Sequence, residues 1–173
     1  MKIRATETIR SSLSASDLFD LLADTRGCLT WHGHPDQARP TSIDAPPGPA
    51  VAGMTVKAYG HVGTIPCVST TSVDVAEKPR RFVTTSVSVF EHPRAPKMSS
   101  VERIAIDDDP QGAGCIVHYD TEMSRELETL EWFGRTYLGV LHRLFSARGL
   151  KRCFRDLIAA AEKEAHRAAG VRA

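Results

Sequence analysis

The 173-residue sequence predicts an α+β fold: one curved antiparallel sheet of six to seven strands wrapped around a long C-terminal helix, with two short helices after the first strand. Three observations carry that prediction. Residues 54 to 123 are rich in Val, Ile and Thr, and turn signals cut them into segments of strand length. The connections between those segments are short, which means antiparallel neighbours, because parallel strands need long crossovers. After Met123, apolar residues recur at three- and four-residue intervals, the period of a helix.

Each element follows in order. Residues 2 to 10 alternate, with Ile3, Ala5, Glu7 and Ile9 on one face and Lys2, Arg4, Thr6, Thr8 and Arg10 on the other, as a half-buried strand requires. Ser14 and Asp17 have capping-box spacing ahead of Leu18, Phe19, Leu21 and Leu22, so a helix is expected over 15 to 23 with Gly27 ending it. A second short helical turn carries Leu29, Thr30 and Trp31 before Pro35 breaks it. Pro35, Pro40, Pro46, Pro47 and Pro49 then stiffen a loop that leaves room for a brief strand at Thr41 to Asp44. Strands are placed near 54 to 60, 64 to 76, 82 to 90, 98 to 107 and 114 to 124. The turns between them include Glu77-Lys78-Pro79-Arg80 and the run Asp107-Asp108-Asp109-Pro110-Gln111-Gly112. The helical stripe runs from Glu126 and Leu127 through Tyr137 and Leu141 to Leu150, Phe154, Ile158 and Ala165, with Gly149 marking a bend.

The chain reads as a single domain over 1–173. An apolar fraction of 42% and a charged fraction of 25% are those of an ordinary globular domain. A net charge of +1, from 22 basic and 21 acidic residues, gives no electrostatic reason for a nucleic-acid partner. No apolar run reaches the roughly 18 residues of a membrane helix, so membrane insertion is not expected. Cys28, Cys67, Cys115 and Cys153 have no CxxC or zinc-knuckle spacing and read as free thiols, which together with the absence of a signal-peptide pattern suggests a cytoplasmic protein. The glycines of the proline-rich loop are not followed by Lys-Ser/Thr, so no phosphate loop forms, and no cofactor is expected. An exposed strand edge could support a dimer, though nothing in the pattern demands one.

The stretch Ser14-Ala15-Ser16-Asp17-Leu18-Phe19-Asp20-Leu21-Leu22-Ala23-Asp24, then Trp31, then Glu77-Lys78-Pro79-Arg80-Arg81-Phe82, then Gly112-Ala113-Gly114, resembles the SRPBCC superfamily over roughly residues 2 to 168. That is the helix-grip fold shared by START lipid-transfer domains, pollen-allergen-like binders and bacterial polyketide cyclases and dehydrases. The resemblance implies a cavity between sheet and helix that takes a small hydrophobic or amphipathic molecule. In the cyclase branch, such a cavity also steers condensation or dehydration of a polyketide.

Strand parity nominates the lining. On the last strand Cys115, Val117, Tyr119, Thr121 and Met123 share the face expected to meet the helix, which leaves His118, Asp120 and Glu122 to solvent. On the strand from 64 to 76, Ile65, Cys67, Ser69, Thr71, Val73 and Val75 form the likelier interior by hydropathy, with Ser69 and Thr71 placing hydroxyls among apolar groups. Trp31 serves either at the cavity mouth or as a core plug, and Leu141 joins the lining from the helix. Tyr59, Tyr119 and Tyr137 are the phenols that could reach the cavity. Two functions therefore stand side by side: carriage of an amphipathic ligand, or a cyclase, aromatase or dehydratase in which one of these phenols polarises a substrate carbonyl. His32, His34 and Asp36 alternate as metal ligands would in an extended segment, but without a further ligand at fixed spacing they read as a solvated loop and no metal site is assigned.

Overall fold

The alternation of the first residues becomes strand β1 (Lys2–Ser11), and the capping box becomes helix α1 (Ala15–Ala23). The structure is a computed structural model and describes residues 2–27, 38–62, 65–91, 97–125 and 146–171. The Ser14 hydroxyl accepts from the Asp17 N–H at 3.1 Å, satisfying one of the donors a helix start leaves open. The helix ends at Asp24, ahead of Gly27: the Asp24 N–H donates to the Asp20 carbonyl, and its carboxylate accepts from the Gly27 N–H at 2.8 Å. A Cβ at Gly27 would displace that carboxylate from its present position.

Six further strands follow: β2 (Ala38–Asp44), β3 (Thr55–Val62), β4 (Ile65–Glu77), β5 (Arg81–Phe90), β6 (Met98–Asp108) and β7 (Cys115–Arg125). They form one curved, wholly antiparallel sheet in the order β1-β7-β6-β5-β4-β3-β2. The expected second helical turn and the first half of the helical stripe, 126–145, lie outside the described residues. The described helix, α2 (Ala147–Val171), begins at Ser146, which accepts from the Leu150 N–H through its carbonyl and from the Gly149 N–H through its hydroxyl. Gly149 thus sits in the first turn of α2.

The inner face of the sheet is the one that meets the helices. Phe82, Ile104, Ile106, Val117 and Tyr119 bury against Leu18 and Phe19 of α1 and Phe154, Ile158 and Ala161 of α2 in one cluster. Phe19 meets Phe82 edge to face with centroids 5.8 Å apart. The proline-rich loop closes over α1, with the Ala50 N–H donating to the Ala23 carbonyl and the Arg26 guanidinium to the Ala45 carbonyl. On α2, Glu162 accepts from the Ser12 N–H at 2.7 Å and the Ser11 hydroxyl at 2.8 Å, which fastens the helix to the end of β1. Gly114 lets β7 start directly against the Ser11 carbonyl, where a Cβ would not fit.

One register shift alters the sequence-based assignment. Between Val73 and Val75 of β4 the pairing slips, so Val73 stands opposite Thr84 while Val75 stands opposite Val83 and Ala76 opposite Phe82. Val73 is inward and buried, as parity requires, but the extra residue at Asp74 turns Val75 to the outer face and Ala76 to the inner one.

Candidate functional site

Inward-facing residues are apolar at the helix-covered end of the sheet and become polar across its middle. One row, level by cross-strand pairing, holds Val73, Thr84, Glu102, Thr121 and Ala5. The next holds Thr71, Ser86, Ser100 and Met123, and the one after it Ser69, Ser88 and Met98. Thr71 and Ser86 share a hydrogen bond of 2.8 Å, and Ser88 donates to Ser69 at 3.1 Å. Buried Met123 and Met98 close these two rows on β7 and β6, and Phe90 lies one level further; none of the three belongs to the helix-side cluster. Hydroxyl groups thus form a strip between two apolar regions, the pattern of a surface that orients an amphipathic molecule with a few polar contacts.

The centre of the strip is a carboxyl–phenol pair. Tyr119 Oη donates to Glu102 Oε1 at 3.3 Å, and the Tyr119 ring stacks on Phe154 of α2 with centroids 4.1 Å apart and planes 6° from parallel. Burial pushes the Glu102 carboxyl above the usual carboxylate range, only partly offset by the Tyr119 hydroxyl. Burial, reinforced by the Glu102 charge, also pushes Tyr119 up, so this phenol keeps its proton and acts as a hydrogen-bond donor. Beside them, Thr121 is fully buried; its hydroxyl lies near the Tyr119 phenol but makes no well-formed hydrogen bond among the described residues. A buried hydroxyl without such a bond is unusual enough to mark a place where a ligand or water would bond. Cys153 of α2 is near enough to feel the Glu102 charge, and burial raises its thiol.

The remaining sequence candidates divide. Ser69 and Thr71 lie in the polar rows, half-buried, and Cys67 lies beside them opposite Phe90 with its thiol raised by burial. Met123 is buried next to Ser100, and Val117 lies wholly inside the helix-side core. Tyr59 points to the other side: it is 39% exposed and lies level with Val68 and Val89 on the outer face, because the inward positions of β3 are Val56, Ala58 and Gly60. Trp31, Tyr137 and Leu141, together with His32, His34 and Asp36, lie outside the described residues.

Glu102 was not among the sequence candidates. Its signal was present in β6, where Met98, Ser100, Glu102, Ile104 and Ile106 share one parity, and a carboxylate interrupting an inward apolar run is the mark of a site. The expected solvated face of β7 holds ion pairs: Asp120 is gripped by Arg4 at 2.9 Å and Arg103 at 3.3 Å, which hold its carboxyl below the usual range. A hollow of about 360 Å³ on that outer face is walled by Arg81, Arg103, His118 and Asp120, and the Arg103 and Asp120 charges already satisfy each other.

No protein-family model matches the chain, and no curated protein matches it. Solved structures do. Ara h 8.0201 superposes with a TM-score of 0.64 at 11% identity, covering 95% of this chain and 97% of that one. The di-domain ARO/CYC BexL from the BE-7585A biosynthetic pathway matches with a TM-score of 0.62 at 16% identity, covering 94% of this chain and 49% of BexL. A point mutant of norcoclaurine synthase from Thalictrum, in complex with a transition-state analogue, matches with a TM-score of 0.60 at 12% identity, covering 96% and 97% of the two chains. At these identities the likeness is one of fold. Seven antiparallel strands in one sheet, a short helix after the first and a long helix at the end make this a helix-grip fold.

Proposed function

We propose that the protein binds a small, mainly apolar molecule bearing hydroxyl or carbonyl groups, held against the inner face of the sheet. The carrying observation is the polar strip itself: serine and threonine hydroxyls flanked by apolar residues, with the buried Thr121 hydroxyl making no well-formed hydrogen bond among the described residues. A solid core would place apolar side chains at these levels. Ring stacking against Phe154 holds Tyr119 in one orientation, so its hydroxyl is a preformed contact. Cys67, Cys115 and Cys153 are free thiols, which supports action in a reducing compartment such as the cytoplasm.

One observation favours an enzyme of the cyclase, aromatase or dehydratase type as a second reading. Tyr119 and Glu102 converge at 3.3 Å, so two polar groups could meet one substrate carbonyl. Tyr119 holds its proton more tightly than usual, so its part would be to polarise that carbonyl by turning its hydroxyl from Glu102 to the substrate.

Native mass spectrometry of the purified protein should reveal a small organic mass above the 18.9 kDa chain. The neutral dye Nile red should bind saturably with a blue shift, and Tyr119→Phe, which keeps the stacked ring, should weaken it by about two- to tenfold, the worth of one hydrogen bond. No adduct and no saturable dye binding would overturn the reading.

A further inference from the structure

Glu102 is placed where it can do more than anchor a ligand. We infer that it is a specificity-determining residue: it admits amphipathic molecules whose polar end is uncharged or an ammonium, and refuses those of the same shape that end in a carboxylate, fatty acids included. The inference rests on the inner-face site proposed above and names the class of molecule that site takes.

The geometry carries it. Glu102 Oε1 accepts from the Tyr119 hydroxyl, and Oε2 has no hydrogen-bond partner among the described residues. Its neighbours across the strands are Thr84 and Thr121, with Ser100 and Ile104 on either side along β6, none of them ionisable. From α2, Cys153 and Phe154 approach the pair. The cations on surrounding elements are committed elsewhere. Arg155 and Lys151 of α2 reach Glu7 of β1, at 2.7 and 3.6 Å. Arg103 turns to the outer face and Asp120, and Arg81 lies 3.7 Å from Glu77. Among the described residues, no positive side chain pairs with Glu102, and those named here are already engaged.

A carboxylate ligand here would set two acidic groups side by side, so one would have to take up a proton, at a cost in affinity. A hydroxyl or ammonium meets the opposite situation, because Glu102 Oε2 can accept from it while the Thr121 hydroxyl bonds to its oxygen or to an adjoining one. Glu102 is half-buried, which limits screening of such contacts by water.

Three naphthalenes of similar size test this by displacement of Nile red at neutral pH: 2-naphthol, 2-naphthylmethylamine and 2-naphthoate. The alcohol and the amine should compete at similar concentrations, and the carboxylate should need at least about tenfold more, the equivalent of one pKa unit of like-charge interaction. In Glu102→Gln the gap between naphthol and naphthoate should close. If that variant does not fold, the wild-type protein supplies the same information, because its naphthoate affinity should rise at mildly acidic pH. Equal binding of naphthol and naphthoate to the wild type would overturn the selectivity, as would a gap that survives Glu102→Gln. Failure of all three naphthalenes and of Nile red to bind would instead overturn the ligand site itself.

Discussion

Glu102 links stability to pH as well as binding to charge. Its pKa is raised on folding, so the folded state holds the proton more tightly, and the associated stability is present at low pH and lost as pH rises through the folded value. Glu102→Gln removes the ionisable group, and should raise the melting temperature at neutral and alkaline pH while changing it little in acid, as thermal unfolding across pH would show. A uniform shift at every pH would contradict the assignment. Residues at this scale were legible from sequence to different degrees. Tyr119 followed from alternation alone, since β7 is regular and each neighbour has the expected burial. Tyr59 was nominated for its phenol, and parity against Val56 and Ala58 sends it outward. Glu102 went unnoticed because a charged residue on a strand reads as solvent-facing until its register with Thr121 and Thr84 is known.

Between elements, the decisive contact is that of α2 with the end of β1. Burial disfavours the Glu162 charge, but the Ser12 N–H and the Ser11 and Ser12 hydroxyls outweigh it and hold the carboxyl below the usual range. The sign is opposite to that of Glu102: the stability is present at neutral pH and is lost as pH falls through the depressed folded value. Glu162→Ala should cost about 1.5–3 kcal/mol at neutral pH, the range for hydrogen bonds to a charged group. Chemical denaturation should show that loss shrinking in acid; an undiminished loss there would point to packing instead. Alternation and helical periodicity sufficed to place the described strands and α1 within a few residues, whereas the start of α2 at Ala147 and the slip at Asp74 did not show in the sequence. Val73 and Val75 look alike there, and only pairing with Thr84 and Val83 separates them.

For the whole molecule, the order of strands has a consequence for how the protein is made. β1 is first in the chain, yet its strand neighbour is β7, so that Lys2 pairs with Ser124 and Ser11 with Cys115. A nascent chain leaving the ribosome therefore carries Ile3, Ala5 and Ile9 on an unpaired strand until more than a hundred further residues have been synthesised. A fragment ending at residue 113 should show fast amide exchange throughout 2–11, and full-length protein should protect the same segment; protection in the fragment would mean that β1 finds another partner. Because the sheet closes on its most distant pairing, refolding of the complete chain belongs with the slower, millisecond-to-second class of topologies. During synthesis β1 is thus the segment most in need of shelter, and a chaperone that meets this protein before β7 has emerged would find its binding sequence in β1.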